Sequence, residues 1–273
     1  MSIRRMLMPV ALEPRDEALL AFACGLHRQG VRELLVAHVV DGTGLEFPVV
    51  VKTVERAREK LLRIIEPYSA CGMKIEVRVV MGTVFREISA LVHQANVDVI
   101  CCGTEGKSFV DYLFAGSVSE DLALKGDERT MTVRWDLVPS RERAGELASG
   151  FAHRLVVPTD FSASSMRAVM SAFERPAEAL GTVHLFHVAD GDTADAQAQM
   201  RGLVAMAAEY GADTVAEIRS GDPAQTILDY VREIEATGII TGRRGRGALG
   251  KALVGSVSLR LMKDAPCPVV IQP

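Results

Sequence analysis

The chain has 273 residues, 48% of them hydrophobic and 24% charged, with a formal net charge of −4 and a single Trp. That length suits two globular domains of ordinary size, and mild acidity with so few rings for base stacking argues against a nucleic-acid partner. Five scattered cysteines without a C-x-x-C spacing, no signal-peptide core and no apolar run of membrane-spanning length predict a reduced, cytoplasmic protein with no membrane partner and no metal site of its own.

In chain order, "RMLMP", Arg5 to Pro9, is a short buried strand, and "AHVVD", Ala37 to Asp41, ends a second. A longer segment, "GTGLEFPVVVKTVERAREKLL", separates Asp41 from Gly82. "CCGTEGKSFVDYLFAGSVS", Cys101 to Ser119, then carries Gly106-Lys107-Ser108, which has the look of a P-loop ending. A P-loop needs Gly-x-x-x-x-Gly-Lys-Ser/Thr, placed after the first strand of its domain. Five positions before Gly106 stands Cys101, and this loop follows the fourth strand, so the P-loop reading fails twice. "TMTVRWD" (130–136) is the last strand of this half. The charged, small-residue-rich stretch after it reads as a linker, 139–151.

The second half alternates strand and helix throughout. "RLVVPTD" is a strand. A helix follows a run of Ser N-cap candidates and carries Met166, Val169, Met170 and Phe173 at helical spacing, with a kink expected at Pro176. "TVHLFHV" is a strand, a helix ends at Gly211, and "DTVAEIRSG" is the third strand. "PAQTILDYVREIEATG" is a helix with Pro223 in its first turn. "GIITG", a helix over "VGSVSLRLMKDA" and the strand "CPVVIQ" complete the series. Such alternation predicts an α/β fold with a parallel sheet covered on both faces.

The chain repeats itself. A shift of 139 residues aligns Gly82 with Gly221, Ile88 with Ile227, Gly103 with Gly242, Gly106 with Gly245, Gly116 with Gly255, and Ser117, Val118 and Ser119 with Ser256, Val257 and Ser258. Nearer each start, a shift of 149 pairs "RMLMP" with "RLVVP" and "AHVVD" with "FHVAD". Two copies of one domain, 1–138 and 152–273, are fused head to tail. Both carry Gly-x2-Gly-x9-Gly-Ser just past the fourth strand. Glycines there let the backbone approach a phosphate closely, and the final Gly-Ser offers helix N-terminal amides to its oxygens. The loop lies at the carboxyl edge of the sheet, where open α/β folds bind ligands.

On these residues the chain resembles the universal stress protein family in tandem. "TGRRGRGALGKALVGSVS" (241–258) is similar to that family's ATP-binding signature, "VVPTDFS" (156–162) to its opening strand, and "APCPVVIQP" (265–273) to its final, dimer-forming strand. The resemblance implies two flavodoxin-like (adenine nucleotide alpha hydrolase-like) domains, each a five-stranded parallel sheet of order 3-2-1-4-5. It implies ATP, accompanied by a divalent ion such as Mg or Mn, as the ligand. Asp160, with Pro158, Thr159 and Val188, would meet the nucleoside end. Gly242, Arg244, Gly245, Gly255, Ser256, Val257 and Ser258 would form the phosphate loop. It also implies that the copies pair through their last strands as a pseudo-dimer within the chain, with homodimers as a further assembly.

The copies are not equivalent. Asp160 is matched by Ala11. Between Gly242 and Ser256 stand Arg243, Arg244, Arg246 and Lys251 with no acid, a charge of +4. Between Gly103 and Ser117, Lys107 stands against Glu105 and Asp111, a charge of −1. Phe109 replaces Ala248. The expected competent site is therefore in the C-terminal copy. Gly103, Gly106, Gly116 and Ser117 mark a degenerate site in the N-terminal copy.

His38 and His187 sit at equivalent strand ends and read as structural hydrogen-bonders. His184 and His187 point to opposite faces and make a poor metal pair. Cys101 and Cys102 read as core, and Asp190 and Asp192 as surface loop. No catalytic residues are spelled out, and no general base is placed beside the loop. The expected function is ATP binding in stress-response regulation. The alternatives are a slow ATPase, and a nucleotide-free interaction protein with another ligand in the N-terminal copy.

Overall fold

A computed structural model of the chain describes residues 3–44, 46–104, 128–174, 180–191, 193–245 and 255–273. In the first half β1 (Arg5–Pro9), α1 (Asp16–Gly25), β2 (Glu33–Val40), α2 (Phe47–Ile65), β3 (Lys74–Met81), α3 (Val84–Gln94), β4 (Val99–Thr104) and β5 (Thr130–Arg134) follow in order. Helix α4 (Arg141–Ser149) joins the halves. The second half runs β6 (Arg154–Pro158), α5 (Ala163–Phe173), β7 (Thr182–Ala189), α6 (Ala194–Glu209), β8 (Thr214–Ser220), α7 (Pro223–Glu233), β9 (Gly238–Gly242), α8 (Ser256–Asp264) and β10 (Val269–Gln272).

These strands form one sheet of order β3-β2-β1-β4-β5-β10-β9-β6-β7-β8. Each half has the expected order 3-2-1-4-5, with parallel pairing throughout. The seam is antiparallel: Val269 lies opposite Thr132, Val270 opposite Met131 and Ile271 opposite Thr130. The last strands of the two copies therefore do pair, closing a pseudo-dimer inside one chain.

The pattern follows from composition. Met6, Leu7 and Met8 in β1, and Leu155, Val156 and Val157 in β6, are fully buried, as continuous apolar runs in the middle of a helix-covered parallel sheet must be. The outer strands carry ion pairs instead. Lys74 meets Glu76 at 2.8 Å on β3, and Arg219 meets Glu217 at 2.9 Å on β8. On one face a single core crosses the seam, from Met6 and Leu34 through Val133, Ala144 and Phe151 to Leu155, Val183, Ile240 and Val270. On the other face each half keeps its own cluster.

The stretch read as a linker contains a packed helix. Ser140 caps α4 by accepting the Arg143 amide at 3.2 Å, and Ala144 and Ala148 are buried. Gly25 of α1 comes so close that a Cβ there would lie 2.7 Å from the Ala148 Cβ. Small residues at 144, 145 and 148 let two helices touch, a pattern that resembles a tether in sequence. Helix α5 ends at Phe173, with Glu174 as its C-cap, and Pro176, where a kink was expected, lies outside the described residues. Among the described residues no helix is long and apolar enough to cross a membrane.

Candidate functional site

Strand order places β6 beside β9, with Leu155 opposite Gly238. Their following helices leave on opposite faces: α5 packs on the shared core and α8 on the second-half cluster. A crevice at the carboxyl ends of β6 and β9 is the consequence.

The turn after β6 is built by its own side chains. The Thr159 amide donates to the Phe186 carbonyl at 2.8 Å, and His187 Nδ1 bonds the Thr159 carbonyl at 2.7 Å. Thr159 is buried, and its Oγ1 accepts the Phe161 amide at 3.0 Å. Phe161 itself stands at φ 60 and packs on the His187 ring, centroids 4.7 Å apart. Asp160 Oδ1 accepts the Ser162 amide at 3.0 Å and the Ser165 hydroxyl at 2.8 Å. Ser162 in turn caps α5 through the Ser165 amide. The carboxylate is thus held at the start of a helix, at the favourable end of its dipole.

The loop after β9 meets it. A Cβ on Gly245 would lie 2.7 Å from Asp160 Oδ2, so the bare main chain of the glycine loop rests against the carboxylate. The Ser162 hydroxyl and the Arg244 carbonyl are 3.4 Å apart. The Gly255 amide donates to the Arg243 carbonyl at 2.8 Å, which pins the two ends of the loop together. Gly255 is the N-cap of α8 and offers no side chain to cover the first amides of that helix. Ser256 is exposed at its first position, and Val257 and Val188 both pack on the cluster around Val156 and Phe186. Pro158 closes β6 beneath them.

Two of the expected site residues have additional duties. A Cβ on Gly242 would come within 2.7 Å of Ser164 C and Ser165 N, so this glycine lets α5 sit on the strand end. Ser258 is buried, and its hydroxyl donates to the Gly242 carbonyl at 2.6 Å, tying α8 to β9. Arg243, counted among the loop charges, turns away. It is 4% exposed, its amide donates to the Gln272 carbonyl at 2.7 Å, and its guanidinium donates to the Glu128 carbonyl in the first half at 2.8 Å. Arg244 is the exposed base at the site mouth. Arg246, Gly247, Ala248 and Lys251 lie outside the described residues.

The first half reproduces the turn without the carboxylate. Leu12 stands at φ 63, matching Phe161, and His38 Nδ1 bonds the Val10 carbonyl at 2.8 Å, matching His187. These histidines are structural in both copies, and His184 bonds the Tyr230 hydroxyl at 2.8 Å. Over Gly103, the partner of Gly242, lies an indole. A Cβ on Gly103 would fall 2.0 Å from a Trp135 ring carbon. The Arg15 guanidinium covers the same ring at 4.9 Å from its centroid. Trp135 therefore fills the position that the first turn of α5 takes in the second half. Sequence reading did not single it out; its place just past β5 was the available signal. Gly106, Gly116 and Ser117 lie outside the described residues, as do Lys107, Phe109 and Asp192. Cys101 and Cys102 are buried in β4, and burial pushes the Cys102 thiol up to about 12, which suits core and not a nucleophile.

Comparison with known proteins agrees over both copies. A model of the universal stress protein family matches residues 2–134 and 152–273. A universal stress protein of Methanocaldococcus jannaschii is 27% identical over 136 residues, 43% of this chain and 80% of that protein. The crystal structure of a universal stress protein from Archaeoglobus fulgidus aligns over 99% of this chain and 96% of its own, with 26% identity and a TM-score of 0.79. A shorter structure, a universal stress protein in complex with cAMP, aligns over 44% of this chain and 96% of its own, with 25% identity and a TM-score of 0.39.

Proposed function

The chain belongs to the universal stress protein family, and from that premise we propose that its C-terminal copy binds an adenine nucleotide, ATP, in the crevice between β6 and β9. The observation that carries this reading is the contact of Gly245 with the Asp160 carboxylate at the foot of the uncapped α8. It joins, in one place, an acceptor for nucleoside hydroxyl or amino groups and a stretch of main chain free of Cβ atoms.

The residues present fit such a ligand. Gly255 leaves room, since a Cβ there would meet nothing nearer than the Arg243 carbonyl at 3.4 Å. Arg244 is exposed beside it. Main-chain amides of Ser256 and Val257 would receive phosphate oxygens, with Gly255 giving them close approach and Arg244 as a charged partner. Val188 would lie against the nucleoside, and a divalent ion would accompany the phosphates. In the N-terminal copy, Ala11 supplies no carboxylate. One nucleotide per chain follows, held by a regulatory module of a stress response.

Calorimetric titration of the full-length protein with ATP and Mg tests this. The expected result is one site per chain, with at least about a tenfold loss of affinity in Asp160→Ala and in Gly245→Val, while both variants keep the wild-type circular dichroism. Two sites per chain, or undiminished binding by Asp160→Ala, would overturn it.

A further inference from the structure

A pair of thiols lies far from this crevice. Cys24 stands near the end of α1 and Cys71 in the turn that leads into β3, both at the amino edge of the sheet. Cys24 is 5% exposed, Cys71 is half-buried against the same core, and the neighbouring Cys71 thiol adds to burial in pushing the Cys24 thiol up. Cys101, Cys102 and Cys267 are buried elsewhere, in β4 and just before β10. The surroundings steer the pair without caging it. The Cys71 amide donates to the Tyr68 carbonyl at 3.0 Å, and Gly72 follows at φ +88, in the left-handed region. The His27 ring bonds the Cys24 carbonyl through Nδ1 at 3.1 Å, and its edge lies against Gly72.

We propose that Cys24 and Cys71 form a reversible disulfide when the protein meets a peroxide. Neighbouring thiols must close to about 2 Å to form the S–S bond. The turn over 69–73 can supply that movement, because its regular hydrogen bonding resumes only at Lys74. The two sulfurs have different parts. Burial, and then the neighbouring thiol, keep Cys24 protonated, whereas Cys71 is open to solvent on one side. Cys71 Sγ attacks a peroxide oxygen and gives up its proton to the departing hydroxide. The O–O bond breaks, hydroxide leaves, and Cys71 becomes a sulfenic acid. Cys24 Sγ then attacks the Cys71 sulfur. The S–S bond forms, the S–O bond breaks, and the hydroxyl leaves with the Cys24 proton as water. Two thiols and one peroxide give one disulfide and two waters, and a dithiol reductant restores the pair by exchange.

The inference stands apart from the nucleotide site and is tested without nucleotide. Full-length protein is treated with hydrogen peroxide, free thiols are alkylated, and a non-reducing digest is mapped by mass spectrometry. The expected product is one cross-linked species joining the Cys24 and Cys71 peptides, lost after dithiothreitol and absent in Cys71→Ser. In Cys24→Ser, Cys71 should stop at the sulfenic acid and be captured by dimedone. Wild-type protein that carries Cys71 as sulfenic or sulfinic acid with Cys24 still alkylatable, or that cross-links only through other cysteines, would overturn the proposal.

Discussion

Gly242 and Gly245 stand three residues apart and meet quite different neighbours. A methyl group on Gly242 would run into main-chain atoms of Ser164 and Ser165 at 2.7 Å, which cannot yield without moving α5. One on Gly245 would meet Asp160 Oδ2 at the same distance, the end of a side chain that can rotate. Gly242→Ala is therefore expected to destabilise the fold by about 1–3 kcal/mol. Gly245→Ala should leave the unfolding free energy within about 0.5 kcal/mol of wild type and weaken nucleotide binding instead. Urea titration of both variants, followed by ATP titration, separates the two roles; equal destabilisation by both would refute the division. In the sequence these glycines are indistinguishable members of one motif. The same limit applies to Arg243, which sits among basic residues in the chain. Its guanidinium is claimed by a carbonyl, that of Glu128, that only the antiparallel seam brings near.

At the scale of elements, the shift of 139 residues and the two periodicities were enough to recover the strands and their parallel pairing, because apolar runs, Pro223 and the paired glycines mark boundaries locally; the strand order came from the family resemblance. Helix α4 was illegible for the opposite reason. Its buried face is made of Ala144 and Ala148, whose small side chains carry little apolar signal, and the need for smallness comes from α1, more than a hundred residues earlier. Ala148 faces Gly25 so closely that added bulk has nowhere to go. Ala148→Leu is expected to lower stability by about 1–3 kcal/mol through overpacking, read as a drop in the thermal midpoint. An unchanged midpoint would show that α4 is a tether after all. Trp135 lies between these cases: the sequence shows a lone indole after a strand, but only the fold shows that it covers Gly103.

For the whole molecule the decisive element is the seam. Val270 is fully buried in a core that continues from Met6 and Val133 in the first half to Leu155 and Val183 in the second. Shared packing of that extent should make the halves melt together. Differential scanning calorimetry is expected to show one transition, with calorimetric and van't Hoff enthalpies equal. Val270→Asp, which places a carboxylate in that core, should lower stability by more than about 3 kcal/mol, read as a lower transition temperature, without splitting the transition. Two resolved transitions in the wild type would mean that the halves unfold on their own.

Covalent fusion across β5 and β10 also settles a question of composition. Separate subunits that meet through such strands can trade partners, so the mixture of like and unlike pairs follows whatever the cell synthesises. Here the carboxylate-bearing half and the half that lacks it leave the ribosome as one polypeptide, with their common edge already occupied by each other. Their ratio is one to one under every condition, and no shift in expression can produce a pair made of two identical halves.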